Sequence, residues 1–159
     1  MKKIILAALA VVAFGAQAAD DGWYGGLNVS NLKFSAQGES ESTSAVGGVI
    51  GYRMGNLAGE VSRIQKTVGS AKGSINDFSL LQSYGIAKDV EVFGKVGVRY
   101  SEVSKASDEL SGTSFVLGAG VQYEFMPKVF ARVGVDYSNK TFGESIKNTT
   151  TTLSVAYKF

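Results

Sequence analysis

The chain has 159 residues, 16 of them basic and 14 acidic for a formal charge of +2, with 20 glycines, one proline and neither cysteine nor histidine. Without cysteine there are no disulfides, no thiolate metal sites and no lipidated cysteine. Without histidine the usual general base, the usual metal ligand and the middle member of Ser-His-Asp and Cys-His catalytic sets are gone, and the near-neutral charge gives no basic footprint for nucleic acid.

Residues 1–18, MKKIILAALAVVAFGAQA, carry two lysines, an apolar run from Ile4 to Phe14, and small residues at Ala16 and Ala18. That is the n-region, h-region and A-x-A pattern of a secretory signal peptide, with cleavage expected after Ala18. A membrane anchor is disfavoured because the run is shorter than the roughly 20 residues a spanning helix needs. Removal leaves 141 residues with 14 basic and 14 acidic side chains, enough for one domain over 19–159. Held without disulfides, it depends on its fold alone.

The mature chain reads as strands, since glycines spread through its apolar stretches weaken any helix. Segments 23–32 and 45–54 alternate weakly. Segment 57–66 is the poorest, because Val61 and Ile64 fall on opposite faces, and 75–87 is again weak. Segment 89–100 sets Val90, Val92, Val96, Val98 and Tyr100 against Glu91, Phe93, Lys95, Gly97 and Arg99. Segment 113–125 sets Phe115, Leu117, Ala119, Val121, Tyr123 and Phe125 against Ser114, Val116, Gly118, Gly120, Gln122 and Glu124. Segment 128–138 sets Val129, Ala131, Val133, Val135 and Tyr137 against Phe130, Arg132, Gly134 and Asp136. The last, 148–159, puts Leu153, Val155, Tyr157 and Phe159 on one side and Ser154, Ala156 and Lys158 on the other.

Tight connections at Gly55-Asn56, Lys88-Asp89 and Met126-Pro127-Lys128 take turns with longer polar ones over 34–44, 67–74, 101–112 and 139–147. Short and long links in alternation describe an antiparallel up-and-down meander of eight strands. Two barrels of that kind exist for an exported chain. A lipocalin-like one turns its apolar face inward around a ligand, and a transmembrane one turns it outward to lipid.

Aromatic placement separates them. On the apolar face Phe78, Tyr100, Phe115 and Tyr137 lie near the long-loop ends, and Trp23, Tyr52, Tyr123, Phe125, Tyr157 and Phe159 near the short-turn ends. From Phe115 to Phe125, a tilted strand climbs roughly 25 Å, the height of a lipid-facing band between two aromatic girdles. A ligand calyx has no use for two rings. On the opposite face Glu60, Lys95, Arg99, Glu124, Arg132 and Asp136 lie within strands, three basic and three acidic, with Gly97, Gly118, Gly120 and Gly134 interleaved. A solvated outer face would tolerate those charges too, but the glycines fit the crowded inside of a small barrel. We therefore expect an all-β, eight-stranded, antiparallel transmembrane barrel. Its lumen would be plugged by these six charges with Gln122, Phe93 and Phe130. Glu60, Lys95, Glu124 and Arg132 would form a lower tier, with Arg99 and Asp136 higher.

The terminal TLSVAYKF resembles the C-terminal signature of bacterial outer-membrane barrels, with its aromatic third from the end and its final Phe. Together with GWYGGLNVS, VGGVIGYRM, VFGKVGVRYSEV and FVLGAGVQYEF, it makes residues 20–159 similar to the small outer-membrane barrel family that includes OmpX and the OmpA membrane domain. The resemblance implies an outer-membrane location, a monomer in contact with lipid, and recognition of Leu153, Val155, Tyr157 and Phe159 by the barrel assembly machinery. It does not imply the peptidoglycan anchoring of OmpA-type proteins, since the sequence stops with the last strand.

The leading functional expectation is a non-enzymatic surface protein with a structural or adhesive role and no cofactor. The alternative is a narrow porin-like channel for ions or small solutes. An enzyme is the third reading, disfavoured because the outer-membrane hydrolases and acyltransferases it would resemble rely on histidine. The acidic QGESES and basic KTVGSAKGS read as solvated loops. Gly118-Ala119-Gly120 lies inside a strand and is no phosphate loop. The triplets at Asn28, Asn139 and Asn148 match a glycosylation sequon by chance.

Overall fold

A computed structural model describes residues 21–36, 39–68, 71–105, 108–138 and 147–159. The expected leader at 1–18 lies outside them. Eight strands follow in order: β1 Gly22–Ala36, β2 Glu39–Met54, β3 Leu57–Val68, β4 Ala71–Ala87, β5 Val90–Lys105, β6 Asp108–Met126, β7 Val129–Ser138 and β8 Lys147–Lys158. Each pairs antiparallel with its neighbours, and β1 closes on β8 from Tyr24↔Lys158 to Ser35↔Lys147. Around the closed belt each strand pairs on both sides, so backbone donors and acceptors there are satisfied within the sheet, while among the described residues Glu39–Ala45 of β2 pairs only with β1 and Asp108–Phe115 of β6 only with β5.

The three tight turns fall where the sequence placed them. Gly55 adopts φ 56°, a left-handed conformation natural to glycine, and its N–H donates to Asp21 Oδ1 at 2.5 Å. Asp89 and Lys128 take the same region at 64° and 68°; Lys128 is held there by its N–H donating to Glu124 Oε1 at 3.2 Å. The carbonyls of Asn56, Asp89 and Lys128 accept from Ser83, Glu124 and Lys158 on the next strand but one's rim, so bonding continues to the edge of the barrel.

The long connections differ from expectation. Residues 34–36, 39–44, 67–68, 71–74, 101–105 and 108–112 are strand, paired as far as Ala36↔Glu39, Val68↔Ala71 and Lys105↔Asp108. These stretches are mostly polar in sequence and carry no sustained period of apolar residues; what marks them as strand is backbone pairing. The connection at 139–146 lies outside the described residues.

Inside, two clusters of apolar side chains are interleaved with polar ones. Tyr24, Ala58, Leu81, Phe93, Phe130 and Ala156 pack toward the short turns, and Leu32, Ala45, Ile64 and Ile75 toward the opposite end. Ile64 explains the poor alternation of β3. It is buried inside, while Val61 faces out.

Candidate functional site

The inner face is organised by glycines that leave room for a neighbour to reach across. Tyr24 pairs in register with Gly51, and Gly51 with Glu60. Tyr24 crosses the bare glycine and donates from Oη to Glu60 Oε1 at 2.6 Å. Lys95, Gly118 and Asp136 form a second such row, and Lys95 Nζ donates to Asp136 Oδ2 at 2.6 Å. In a third, the Phe93 ring covers Gly120 and Gly134. A Cβ at Gly51, Gly118 or Gly120 would overlap the side chain that crosses it. The bare positions are part of the ion-pair geometry.

Three charged layers result. Nearest the short turns, Arg53 forms a bidentate pair with Glu91, both bonds 2.8 Å, and donates to Gly55 O at 2.8 Å. Beside it Lys158 pairs with Glu124. In the next layer Arg132 pairs with Glu60 and donates to Gln122 Oε1 at 3.2 and 2.9 Å. Its guanidinium carbon sits 5.0 Å from the Phe93 ring centre, 5.3 Å from Phe130 and 5.8 Å from Tyr24, an aromatic cage for a cation. In the third layer fully buried Arg99 makes a bidentate pair with Asp77, both bonds 2.8 Å, and donates to Thr150 Oγ1 at 2.9 Å. Lys95 lies 3.6 Å from Asp77 as well as bonding Asp136, and Arg99 lies 3.7 Å from Asp136. Five basic and five acidic groups thus neutralise one another across the three layers.

Glu60, Lys95, Arg99, Glu124, Arg132 and Asp136 all face inward, but their grouping corrects the two tiers expected. Lys95 joins Arg99, Asp77 and Asp136 because the stagger from β5 through β6 to β7 places Asp136, not Glu60, in its row. Glu124 pairs at the rim with Lys158, away from Glu60 and Arg132. Asp77, Tyr24, Arg53, Glu91 and Lys158 complete the network and were missed as members.

Between the second and third layers lies a cavity of about 40 Å³ lined by Asn28, Glu60, Asp77, Lys95, Arg132 and Asp136 among others. A larger pocket of about 210 Å³ opens at the short-turn mouth, beside Arg53, Ser83, Lys128 and Lys158. Arg132 and Leu81 line both and stand between them. Among the described residues, no group of three or more acidic side chains is arranged to hold a metal ion.

The outer face carries Trp23, Tyr52, Phe78, Tyr100, Phe115, Tyr123, Phe125, Tyr137, Tyr157 and Phe159, all exposed, with Leu153 and Val155 between them on β8. Past the upper aromatics it turns polar, at Asn31, Lys33, Ser42, Ser44, Arg63 and Gln65. A closed barrel with a charged inside and an apolar belt outside has the arrangement required in lipid.

A family model for the outer membrane protein beta-barrel domain matches residues 4–159. The chain belongs to that family. As an outer-membrane barrel it resides in the bacterial outer membrane, its apolar belt against lipid. No curated protein matches its sequence. Among solved structures, Neisserial surface protein A is similar at TM-score 0.68 and 20% identity, covering 92% of this chain and 100% of that one. Ail, the attachment invasion locus protein of Yersinia pestis, gives 0.64 and 17%, covering 87% and 99%. The N-terminal barrel domain of Pseudomonas aeruginosa OprF gives 0.61 and 15%, covering 88% and 100%. At these identities the likeness is one of fold, and it is shared by the whole outer-membrane barrel.

Proposed function

We propose that this outer-membrane barrel is a non-enzymatic scaffold whose lumen is closed by its own side chains and whose working surface is the long-strand end. The observation that carries the reading is the Arg132 layer: one guanidinium held by Glu60, Gln122 and three rings, standing between the inner cavity and the short-turn pocket. Eight strands leave a bore only about wide enough for side chains, so such a layer is sufficient to plug it.

In this reading the leader is removed after Ala18 and residues 19–159 form the barrel. The ten outward aromatics act as girdles, and Leu153, Val155, Tyr157 and Phe159 are read during insertion by the barrel assembly machinery. The finished protein is a monomer. A surface-interaction role, adhesion included, draws support from strands that continue beyond the upper girdle with polar side chains outward. Ail, of the same fold, is the attachment invasion locus protein of Yersinia pestis and has a structure in complex with the heparin analogue sucrose octasulfate. Liposome swelling tests the plug. Vesicles carrying the barrel should shrink and stay shrunken in a small sugar such as arabinose; rapid re-swelling would instead support the alternative of a narrow porin-like channel.

A further inference from the structure

On the short-turn side of the Arg132 layer lies the pocket of about 210 Å³. In an outer-membrane barrel the short turns face the periplasm. Arg132 and Leu81 close the pocket from within, and Tyr24, Ala58 and Phe130 give it apolar walls. Arg53, Lys128 and Lys158 line it nearer the turns. The charge on this lining is one-sided. Arg132, Arg53 and Lys158 are paired with Glu60, Glu91 and Glu124, none of which belongs to the lining. Asp21 is the one acidic residue in it, and its Oδ1 already accepts the Gly55 N–H at 2.5 Å.

Two donors are left over. Among the described residues, no carboxylate forms an ion pair with the Lys128 ammonium. Ser83 is 8% exposed, turns inward and lines the pocket, and its hydroxyl makes no hydrogen bond to another described residue. Buried hydroxyls are ordinarily satisfied, so this one stands open to whatever fills the pocket. We propose that the pocket binds a small carboxylate whose apolar body is about the size of a phenyl ring. One unpaired ammonium calls for one negative charge, and the Ser83 O–H supplies a second donor to the same group. The volume exceeds the ~150 Å³ of a cavity that takes up benzene, which leaves room for the acid group beside a ring. Tyr24 and Phe130, themselves edge to face at 5.5 Å, offer that ring an aromatic wall. A free acid and the last residue of a peptide present the same chemistry. The proposal goes beyond the plugged scaffold and stands whether or not the lumen conducts.

Barrels in lipid nanodiscs would be titrated with para-fluorophenylacetate and followed by fluorine NMR line width, with para-fluorophenylacetamide as the neutral counterpart and empty nanodiscs as the control for partitioning. The acid should broaden with the wild-type barrel and sharpen when unlabelled phenylacetate competes; the amide should bind about tenfold more weakly. Lys128→Gln and Ser83→Ala should each weaken the acid about tenfold, and Lys128→Gln should leave the amide unchanged. Lys33→Gln, which removes an exposed charge from the outer face toward the other end, should change nothing. The unheated gel position checks that each variant is folded; if one is not, acid against amide on the wild-type barrel still decides. Displacement of the probe by a short acetylated peptide ending in Phe would support the site and assign it to chain termini, and displacement by phenylacetate alone would support it for free acids. Equal binding of acid and amide, equal broadening by empty nanodiscs, or wild-type affinity in both folded pocket variants would overturn the proposal.

Discussion

Replacing Arg132 by Met removes a buried charge while keeping much of its bulk among Phe93, Phe130 and Tyr24. Glu60 is then left in the lumen with the Tyr24 hydroxyl at 2.6 Å as its remaining strong donor, and Gln122 Oε1 loses both its bonds to the guanidinium. Breaking a buried pair by removing one partner costs about 3–5 kcal/mol. The Tyr24 bond, worth ~1.5–3 kcal/mol to a charged acceptor, is already present and offsets nothing new. The expected loss is therefore about 3–5 kcal/mol. Restoring neutrality by adding Glu60→Gln keeps an acceptor for Tyr24, and the double variant should return to within about 1 kcal/mol of wild type, since replacing a whole buried pair is often neutral. Urea unfolding in phospholipid vesicles, followed by Trp23 emission, gives each free energy. A single variant losing less than about 1 kcal/mol, or a double variant no better than the single, would refute the claim that Arg132 and Glu60 sustain each other.

Val121 and Val133 are register partners on the outer face, and Arg at either should cost ~2–4 kcal/mol in vesicle unfolding, as expected near the bilayer midplane. If both were harmless, the outward assignment of β6 and β7 would fail. The folded barrel should run at a different position on a detergent gel unheated than boiled, because closure resists detergent unfolding; recovery as a detergent-free, water-soluble monomer would contradict this. Deleting Phe159 should slow assembly in cells more than it lowers the stability of refolded barrel, and equal pulse-chase assembly rates for the two forms would remove its proposed recognition role.

The outer face was legible because a lipid-facing strand shows an unbroken apolar series, as in Phe115 through Phe125 or Leu153 through Phe159. The inner face was legible only where it is uniformly polar or glycine. Asp77 was missed because β4 carries Ile75 and Leu81 on the same inward side, which blurs the alternation. Tyr24 follows Trp23 directly, so two aromatics in succession hide which one turns in. Arg53 and Glu91 sit two positions from their turns, where a charge is as easily solvated as paired across the barrel. Pairings depend on stagger between strands, a property of the closed sheet that no single strand records. The Lys95–Gly118–Asp136 row shows what signal existed: an inward glycine on one strand, with long or charged inward partners on both sides.

Planar-bilayer recording of the purified barrel tests the closed lumen most directly. With the Arg132 layer intact, single insertions at high salt should give little or no steady current, because the proposed plug of Glu60, Arg132 and the rings around them would leave no continuous water path. A large, stable unitary conductance from the wild-type protein would contradict the plugged scaffold and establish the channel in its place.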